Sequence, residues 1–117
     1  MKSFPFQDHI TKLTSRWYSG YFDVSKYKST HYFFIESLNK PDTDPILVFF
    51  NGGPGAPSTP EAFLNIGPYL CADPNNFYLT EYEDTWAKNA SLMFIDNPIG
   101  VGLSYGEREK DLVNNDY

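Results

Sequence analysis

The sequence predicts an α/β fold: the N-terminal portion of a sheet, with a hairpin at one edge and buried strands beyond it. Two aromatic-rich segments near the start predict the hairpin. Two continuous apolar runs, ILVFF at residues 46–50 and SLMFI at residues 91–95, are typical of strands covered on both faces. A glycine-rich loop, NGGPGAPS, directly follows the first run and precedes a helix-start signal.

The hairpin comes first in the chain. Residues 17–24 (WYSGYFDV) and residues 30–37 (THYFFIES) are rich in aromatic and β-branched residues, and polar residues 25–29 separate them. Residues 39–45 (NKPDTDP) contain two prolines and form a loop.

A central strand over residues 46–50 and a short helix come next. Ser58 is suited to cap the helix, Pro60 to occupy its first position and Glu61 to lie in its first turn. The pattern predicts a helix over residues 60–66 that ends at Gly67.

The rest of the chain is less regular. We predict a short strand over residues 77–80, a buried strand over residues 91–95, a loop over residues 96–105 and weak helical character over residues 107–115. These few strands cannot cover both faces of the buried ones, so the domain is predicted to be incomplete by itself.

Size and charge limit the classes of function. The 117 residues suit one small domain, and 15 acidic against 9 basic residues give a net charge of −6. That charge argues against nucleic acid or an anionic membrane surface as the partner. No apolar run approaches the roughly 20 residues of a membrane span.

Cysteine and histidine usage gives no sign of a metal or other cofactor, and none is expected. Cys71 is the only cysteine, so no disulfide forms within the chain; a buried, inert thiol is favoured and a bridge to another chain stays open. His9 and His31 show no zinc-ligand spacing. The N-terminal segment MKSFPFQDHITKL lacks the apolar core of a signal peptide. An intracellular protein and one whose signal has been removed both remain open.

The loop NGGPGAPS is the segment most suited to chemistry. Its three glycines allow close approach of a ligand, and successive N–H groups can converge on an anion. A developing oxyanion or a carboxylate fits such a loop. A phosphate does not, because no G-K-[ST] follows. A tight turn that only reverses the chain is the alternative.

From about residue 15 onward the sequence resembles the N-terminal part of the serine carboxypeptidases, the S10 peptidases of the α/β-hydrolase fold. The matching stretches, in family order, are YSGYFDV, HYFFIES, LVFFNGGPG, Gly67-Pro68, Thr85-Trp86 and FIDNPIGVGLSY. The resemblance implies that the N–H of Gly53 is one oxyanion donor. It also implies that Asn51 and the N–H of Gly52 hold the C-terminal carboxylate of a peptide substrate.

Three positions depart from the family pattern. Ala56 replaces a cysteine that forms a disulfide in the family, and Pro57 replaces a serine. Asn65 stands nearest to the place of a glutamate in the carboxylate-binding network, and an amide cannot share a proton with an acid.

The segment GLSYG at residues 102–106 matches the G-x-S-x-G pattern of hydrolase nucleophiles, but Ser104 is not expected to be one. A nucleophile elbow follows a strand directly, whereas Ser104 follows a loop, and both histidines precede it. Asp96 is expected to accept hydrogen bonds from the loop around Gly100 and Gly102. Asn89 begins a glycosylation sequon at the entrance to a buried strand, and we expect it to be unmodified.

Two functions follow. The resemblance implies that residues 16–117, after an extension at residues 1–15, form the N-terminal part of a serine carboxypeptidase. This part lacks the Ser, Asp and His of the triad, so the isolated chain is expected to be inactive. Alternatively, the chain is a non-catalytic, truncated or split relative that acts as a binding or structural subunit, with a partner chain covering its sheet. The resemblance implies the secretory pathway, vacuole or lysosome as the location.

Overall fold

The computed structural model describes residues 14–71 and 79–112. Residues 1–13 of the predicted extension, which include His9, and residues 77 and 78 of the strand predicted over residues 77–80 lie outside these ranges. In chain order the elements are β1 (Trp17–Ser25), β2 (Lys28–Ile35), β3 (Ile46–Phe49), α1 (Glu61–Leu64), β4 (Tyr69–Cys71), β5 (Leu79–Glu81), β6 (Ser91–Ile95) and β7 (Tyr105–Gly106). Short 3-10 helices span Trp86–Lys88 and Glu109–Leu112.

The main sheet has the strand order β1-β2-β6-β3, with β7 paired to the start of β2. Strands β1 and β2 form the predicted antiparallel hairpin, in which Trp17 lies opposite Ile35. Strand β6 is antiparallel to β2 and parallel to β3. The predicted α/β sheet with an edge hairpin is therefore confirmed, and β6 brings the far end of the chain into its centre.

One face of this sheet carries the hydrophobic core. The alternating residues of β2 that point inward, Phe33 and Ile35, are 4% and 0% exposed, and Phe94 of β6 is fully buried. Trp17 packs edge-on against Phe33 with ring centroids 5.8 Å apart. Helix α1 and the β4–β5 pair cover this face.

The opposite face of the sheet, which we call the open face, is apolar but uncovered by the described residues. Register and strand alternation place on it side chains from all four strands of the sheet's main path. Its members include Tyr18, Phe22, Tyr32, Phe34, Ile46, Val48 and Met93.

The prediction that residues 46–50 form a central strand buried on both sides is wrong for this chain. Strand β3 lies at the end of the strand order, and Ile46, Leu47 and Val48 are 57%, 42% and 49% exposed. Its only strand partner among the described residues is β6. An apolar run indicates that a strand is suited to burial, but it does not say whether its neighbours lie on the same segment of chain.

The helix is shorter than predicted, and its start is different. Helix α1 covers residues 61–64, Pro60 occupies the cap position and no side chain caps the helix. The hydroxyl of Ser58, the predicted cap, instead accepts a hydrogen bond from the N–H of Asn51. The hydroxyl of Ser58 therefore closes the loop before the helix and does not cap the helix.

The exposed edge gives a first testable prediction. We expect Val48→Lys to change the free energy of unfolding of this chain by less than about 1 kcal/mol, because the side chain is half exposed. The charge should also oppose edge-to-edge pairing between copies. Urea denaturation and size-exclusion chromatography at rising concentration measure the two effects. A loss above about 2 kcal/mol would mean that β3 is packed on both faces.

Candidate functional site

The loop at residues 51–58 joins β3 to α1 and closes on itself. The backbone N–H of Asn51 donates to the Ser58 hydroxyl at 2.9 Å, and its side-chain amide donates to the Pro57 carbonyl at 3.1 Å. Gly53 has φ +134° and Gly55 has φ +101°, values that disfavour any residue with a Cβ. The glycines therefore allow a tight loop whose two ends are held together.

The two predicted backbone donors of this loop differ in their present bonding. The N–H of Gly52 donates to the side-chain oxygen of Asn51 at 2.9 Å. Within residues 14–71 and 79–112, no group accepts a hydrogen bond from the N–H of Gly53, and Gly53 is exposed. Gly53 is therefore free to donate to an incoming anion, whereas Gly52 has to exchange a partner.

The structure brings a carboxylate to this loop that sequence reasoning did not place there. Glu61 accepts from the Asn51 side-chain amide at 3.3 Å through one oxygen and from the Asn65 amide at 2.6 Å through the other. Asn65 carries an amide and no carboxylate, but Glu61, one helical turn earlier, brings a carboxylate to this loop. The signal was present in the sequence, because residues four apart on a helix face the same side.

Asp96, at the end of β6, fastens the loop to the sheet. One of its oxygens accepts from the backbone N–H groups of Ser58 and Thr59, at 2.8 Å and 2.9 Å. The other accepts from the N–H of Leu103 at 3.2 Å, from the Thr59 hydroxyl at 3.1 Å and from the ring of His31 at 3.0 Å. The expected bonds from the following loop are thus present at Leu103, while the bonds to the glycine-rich loop and to His31 were not foreseen.

His31 and Ser104 complete this buried network. The hydroxyl of Ser104 donates to the Asp96 carbonyl and accepts from the backbone N–H of His31 at 2.8 Å. Ser104 is 4% exposed, so its hydroxyl is occupied and shielded from solvent. These contacts give Ser104 a structural role, tying the loop after β6 to β2.

The environment of Asp96 keeps it ionised. Burial raises the pKa of this carboxyl. Hydrogen bonds from the Thr59 and Leu103 N–H groups, from His31 and from the Thr59 hydroxyl together lower the pKa by more than burial raises it. The net result is a pKa below the ordinary value of Asp. The network is therefore suited to acidic solution, because its central acceptor keeps its charge there.

A pH prediction follows with a definite sign. Because the folded-state pKa of Asp96 is lowered, the stability it contributes is present above the unfolded value of about 3.9 and is lost as pH falls below that value. We expect the free energy of unfolding, measured with urea at pH 6 and pH 3, to fall less in Asp96→Asn than in the original chain. Equal decreases in the two proteins would contradict the assignment.

The structure describes the surroundings of Cys71 and Asn89. Cys71 is partly buried against the core, whereas a fully buried thiol was expected. Asn89 is exposed, and Ser91 of its sequon is buried.

Among residues 14–71 and 79–112, no group of three or more His, Cys, Asp or Glu side chains is arranged to hold a metal. None of the helices in those ranges has the length and apolar character needed to cross a bilayer.

Comparison with known proteins gives consistent results. The family model described as serine carboxypeptidase matches residues 7–117. Serine carboxypeptidase S10 family member 1 of Dictyostelium discoideum is 40% identical over 89 residues, which are 74% of this chain and 21% of that protein. The lysosomal protective protein of Mus musculus is 39% identical over 119 residues, or 96% of this chain and 25% of that protein.

A solved structure shows the same fold. The crystal structure of Kex1(delta)p, a prohormone-processing carboxypeptidase from Saccharomyces cerevisiae, superposes with a TM-score of 0.65 at 25% identity. The match covers 83% of this chain and 22% of that one. The chain therefore spans about a quarter or less of the length of these relatives.

Proposed function

This chain belongs to the serine carboxypeptidase family, and from that premise we propose that it forms the oxyanion and carboxylate-binding part of a serine-type carboxypeptidase. The single observation that carries the proposal is the exposed N–H of Gly53, which has no acceptor among the described residues and lies in a loop that Asp96 fastens to the sheet. A donor held in place before substrate arrives stabilises a developing oxyanion, and one such donor is typically worth about 10²–10³ in kcat. The reaction is the release of C-terminal residues from peptides.

In this proposal Asn51 and Gly52 select a free C-terminus, and Glu61 limits how tightly it binds. The Asn51 amide and the Gly52 N–H are neutral donors that can bind a carboxylate without a buried cation. Glu61 lies within 3.3 Å of the Asn51 amide and competes for it. The Glu61 carboxylate carries the same charge as the substrate carboxylate and therefore opposes its binding.

The experiment that tests this role measures binding, because binding requires no nucleophile. Backbone amide resonances of Gly52 and Gly53 should shift on titration with an N-acetylated dipeptide acid. They should not shift with the same dipeptide amidated at its C-terminus. Equal responses to the acid and the amide, or none to either, would contradict the proposal.

A substitution at Glu61 sharpens the test. We expect Glu61→Gln to bind the dipeptide acid about tenfold more tightly than the original chain at pH 7, because a like charge is removed beside the ligand. Binding of the dipeptide amide should not change. Asp42→Asn serves as the control, since Asp42 is exposed. Weaker binding by Glu61→Gln at pH 7 would show that the carboxylate of the dipeptide does not bind beside Glu61.

The location we propose is an acidic compartment of the secretory pathway. Relatives at 38% and 39% identity are named as a vacuolar carboxypeptidase of Saccharomyces cerevisiae and as the lysosomal protective protein of Mus musculus. Fluorescence microscopy of the tagged protein with vacuolar and lysosomal markers tests this location.

A non-catalytic role is the second candidate, and the exposed β3 edge favours it. Ile46, Leu47 and Val48 present apolar surface that a partner chain could cover. In that case the chain would act as a binding or structural subunit with no turnover of its own. Co-purification from the source, followed by intact-mass measurement, distinguishes a stable complex from a single longer chain.

A further inference from the structure

A second serine, on β1, is joined to the buried histidine–aspartate pair. The hydroxyl of Ser19 lies 2.9 Å from Nε2 of His31, and Nδ1 of His31 lies 3.0 Å from Oδ2 of Asp96. This is the atom-by-atom connectivity of a Ser-His-Asp relay: nucleophile to Nε2, and Nδ1 to carboxylate. We propose that Ser19 is an activated nucleophile that accepts acyl groups from small, activated esters.

The direction of the relay follows from the acid. Asp96 is ionised and can only accept hydrogen bonds, so Nδ1 of His31 carries a hydrogen and donates it. In the neutral ring, Nε2 is then an acceptor, and the Ser19 hydroxyl donates to it. Four further hydrogen bonds on Asp96 hold its carboxylate in place, and His31 is 2% exposed. The base is therefore oriented before any substrate arrives.

Ser19 is accessible, unlike the two residues behind it. It is exposed on the same side of β1 as Tyr21, which lies two residues along the strand. The Tyr21 ring packs edge-on against the His31 ring at 5.4 Å and against the Tyr105 ring at 5.4 Å. Tyr21 and Tyr105 are each about half exposed, at 49% and 48%. This aromatic surface beside the hydroxyl favours flat aryl esters as substrates.

The proposed step balances as follows. The Ser19 oxygen attacks the ester carbonyl while its proton passes to Nε2 of His31. The bond from the carbonyl carbon to the aryl oxygen then breaks, and the leaving phenol takes that proton. Water hydrolyses the acyl-serine by the reverse transfer and releases the carboxylic acid.

The test uses the 117-residue chain and a fluorophosphonate probe, which forms a Ser–O–P bond and releases fluoride. Peptide mapping by mass spectrometry should find the label on Ser19. Ser19→Ala should lower total labelling at least about tenfold, because it removes the serine whose reaction a general base accelerates, typically by about 10²–10⁴-fold. Ser25→Ala is the matched control: Ser25 is also exposed on β1, its hydroxyl accepts from the N–H of Tyr27, and labelling should not change.

A second measurement does not depend on the probe. In a Cys71→Ser background, the thiol of Ser19→Cys should react with iodoacetamide about tenfold faster than the thiol of Ser25→Cys, because His31 withdraws its proton. Circular dichroism confirms that each variant is folded. Absence of label on Ser19, together with equal thiol rates, would overturn the proposal and leave the relay as a structural chain of hydrogen bonds.

Discussion

Replacement of Asp96 by alanine is expected to lower the free energy of unfolding by about 3–5 kcal/mol, because several donors lose a buried, charged acceptor at about 1–3 kcal/mol each. Asp96 is 1% exposed, and its side chain accepts five hydrogen bonds from three separate segments. Removing it leaves the N–H groups of Ser58, Thr59 and Leu103 without their acceptor. The loss is costly where the donor is buried, as at Ser58, because water cannot replace the acceptor there.

Asparagine at this position separates shape from charge. Asp96→Asn keeps one carbonyl oxygen for the N–H groups of Ser58 and Thr59, but its amide turns two donors toward Leu103 and His31. We expect a loss of about 2–3 kcal/mol, smaller than for alanine. Asp42→Asn, at an exposed position, should stay within about 0.5 kcal/mol of the original chain.

Urea denaturation measures these changes, and amide hydrogen exchange locates them. The N–H groups of Ser58, Thr59 and Leu103 should exchange faster in Asp96→Asn, while those of the β1–β2 hairpin should change less. If Asp96→Ala proves as stable as Asp42→Asn, Asp96 does not fasten the loop.

Replacement of Gly67 by alanine is the second change with a large expected effect, about 3 kcal/mol or more. A Cβ at this position would lie 1.9 Å from the backbone oxygen of Ala62 and 2.9 Å from its carbonyl carbon. Both atoms belong to the backbone of α1, so no side chain can rotate away to make room. The neighbouring carbonyl of Ile66 is also held, by the N–H of Trp86 at 3.1 Å and the Thr85 hydroxyl at 2.8 Å.

Gly52 provides a matched control for this prediction. A Cβ at Gly52 meets nothing within 4 Å, and Gly52 does not have a positive φ. Gly52→Ala should therefore change the free energy of unfolding by less than about 0.5 kcal/mol. Thermal or urea unfolding of the two variants makes the comparison, and similar losses in both would show that helix α1 is not packed against Gly67 as described.

Much of the fold could be predicted because local patterns determine it. Aromatic and β-branched segments predicted the hairpin, apolar runs predicted β3 and β6, and Gly67 marked the end of the helical region. The burial of β3 was mispredicted, because the apolar pattern ILVFF shows that the strand is suited to burial. It does not show whether the same stretch of chain contains the segments that would bury it. The bounds of α1 were missed because the hydroxyl of Ser58 bonds to the loop and does not cap the helix.

Less of the site could be predicted, because its contacts join distant parts of the chain. His31 and Asp96 are separated by 65 residues, and no local pattern relates them. Strand alternation puts His31 on the same face of β2 as Phe33 and Ile35, but a local pattern of this kind gives no partner for the ring. Glu61 was assigned to the first turn of a helix, and its contact with Asn51 depends on how the loop folds back. The roles of Gly53, Asn51 and Gly52 remain predictions for the binding experiments.

The parallel pairing of β3 with β6 also sets the order of folding during synthesis. Ile46 pairs with Ser91, so the ribosome must add 45 more residues before β3 can acquire that neighbour. The β1–β2 hairpin, in contrast, closes over a turn of two residues, between Ser25 and Lys28. Local pairs form early and distant pairs late, because closing a long loop costs chain entropy. A nascent chain therefore carries the apolar strand β3 unpaired for an interval, which is when a chaperone would protect it from aggregation.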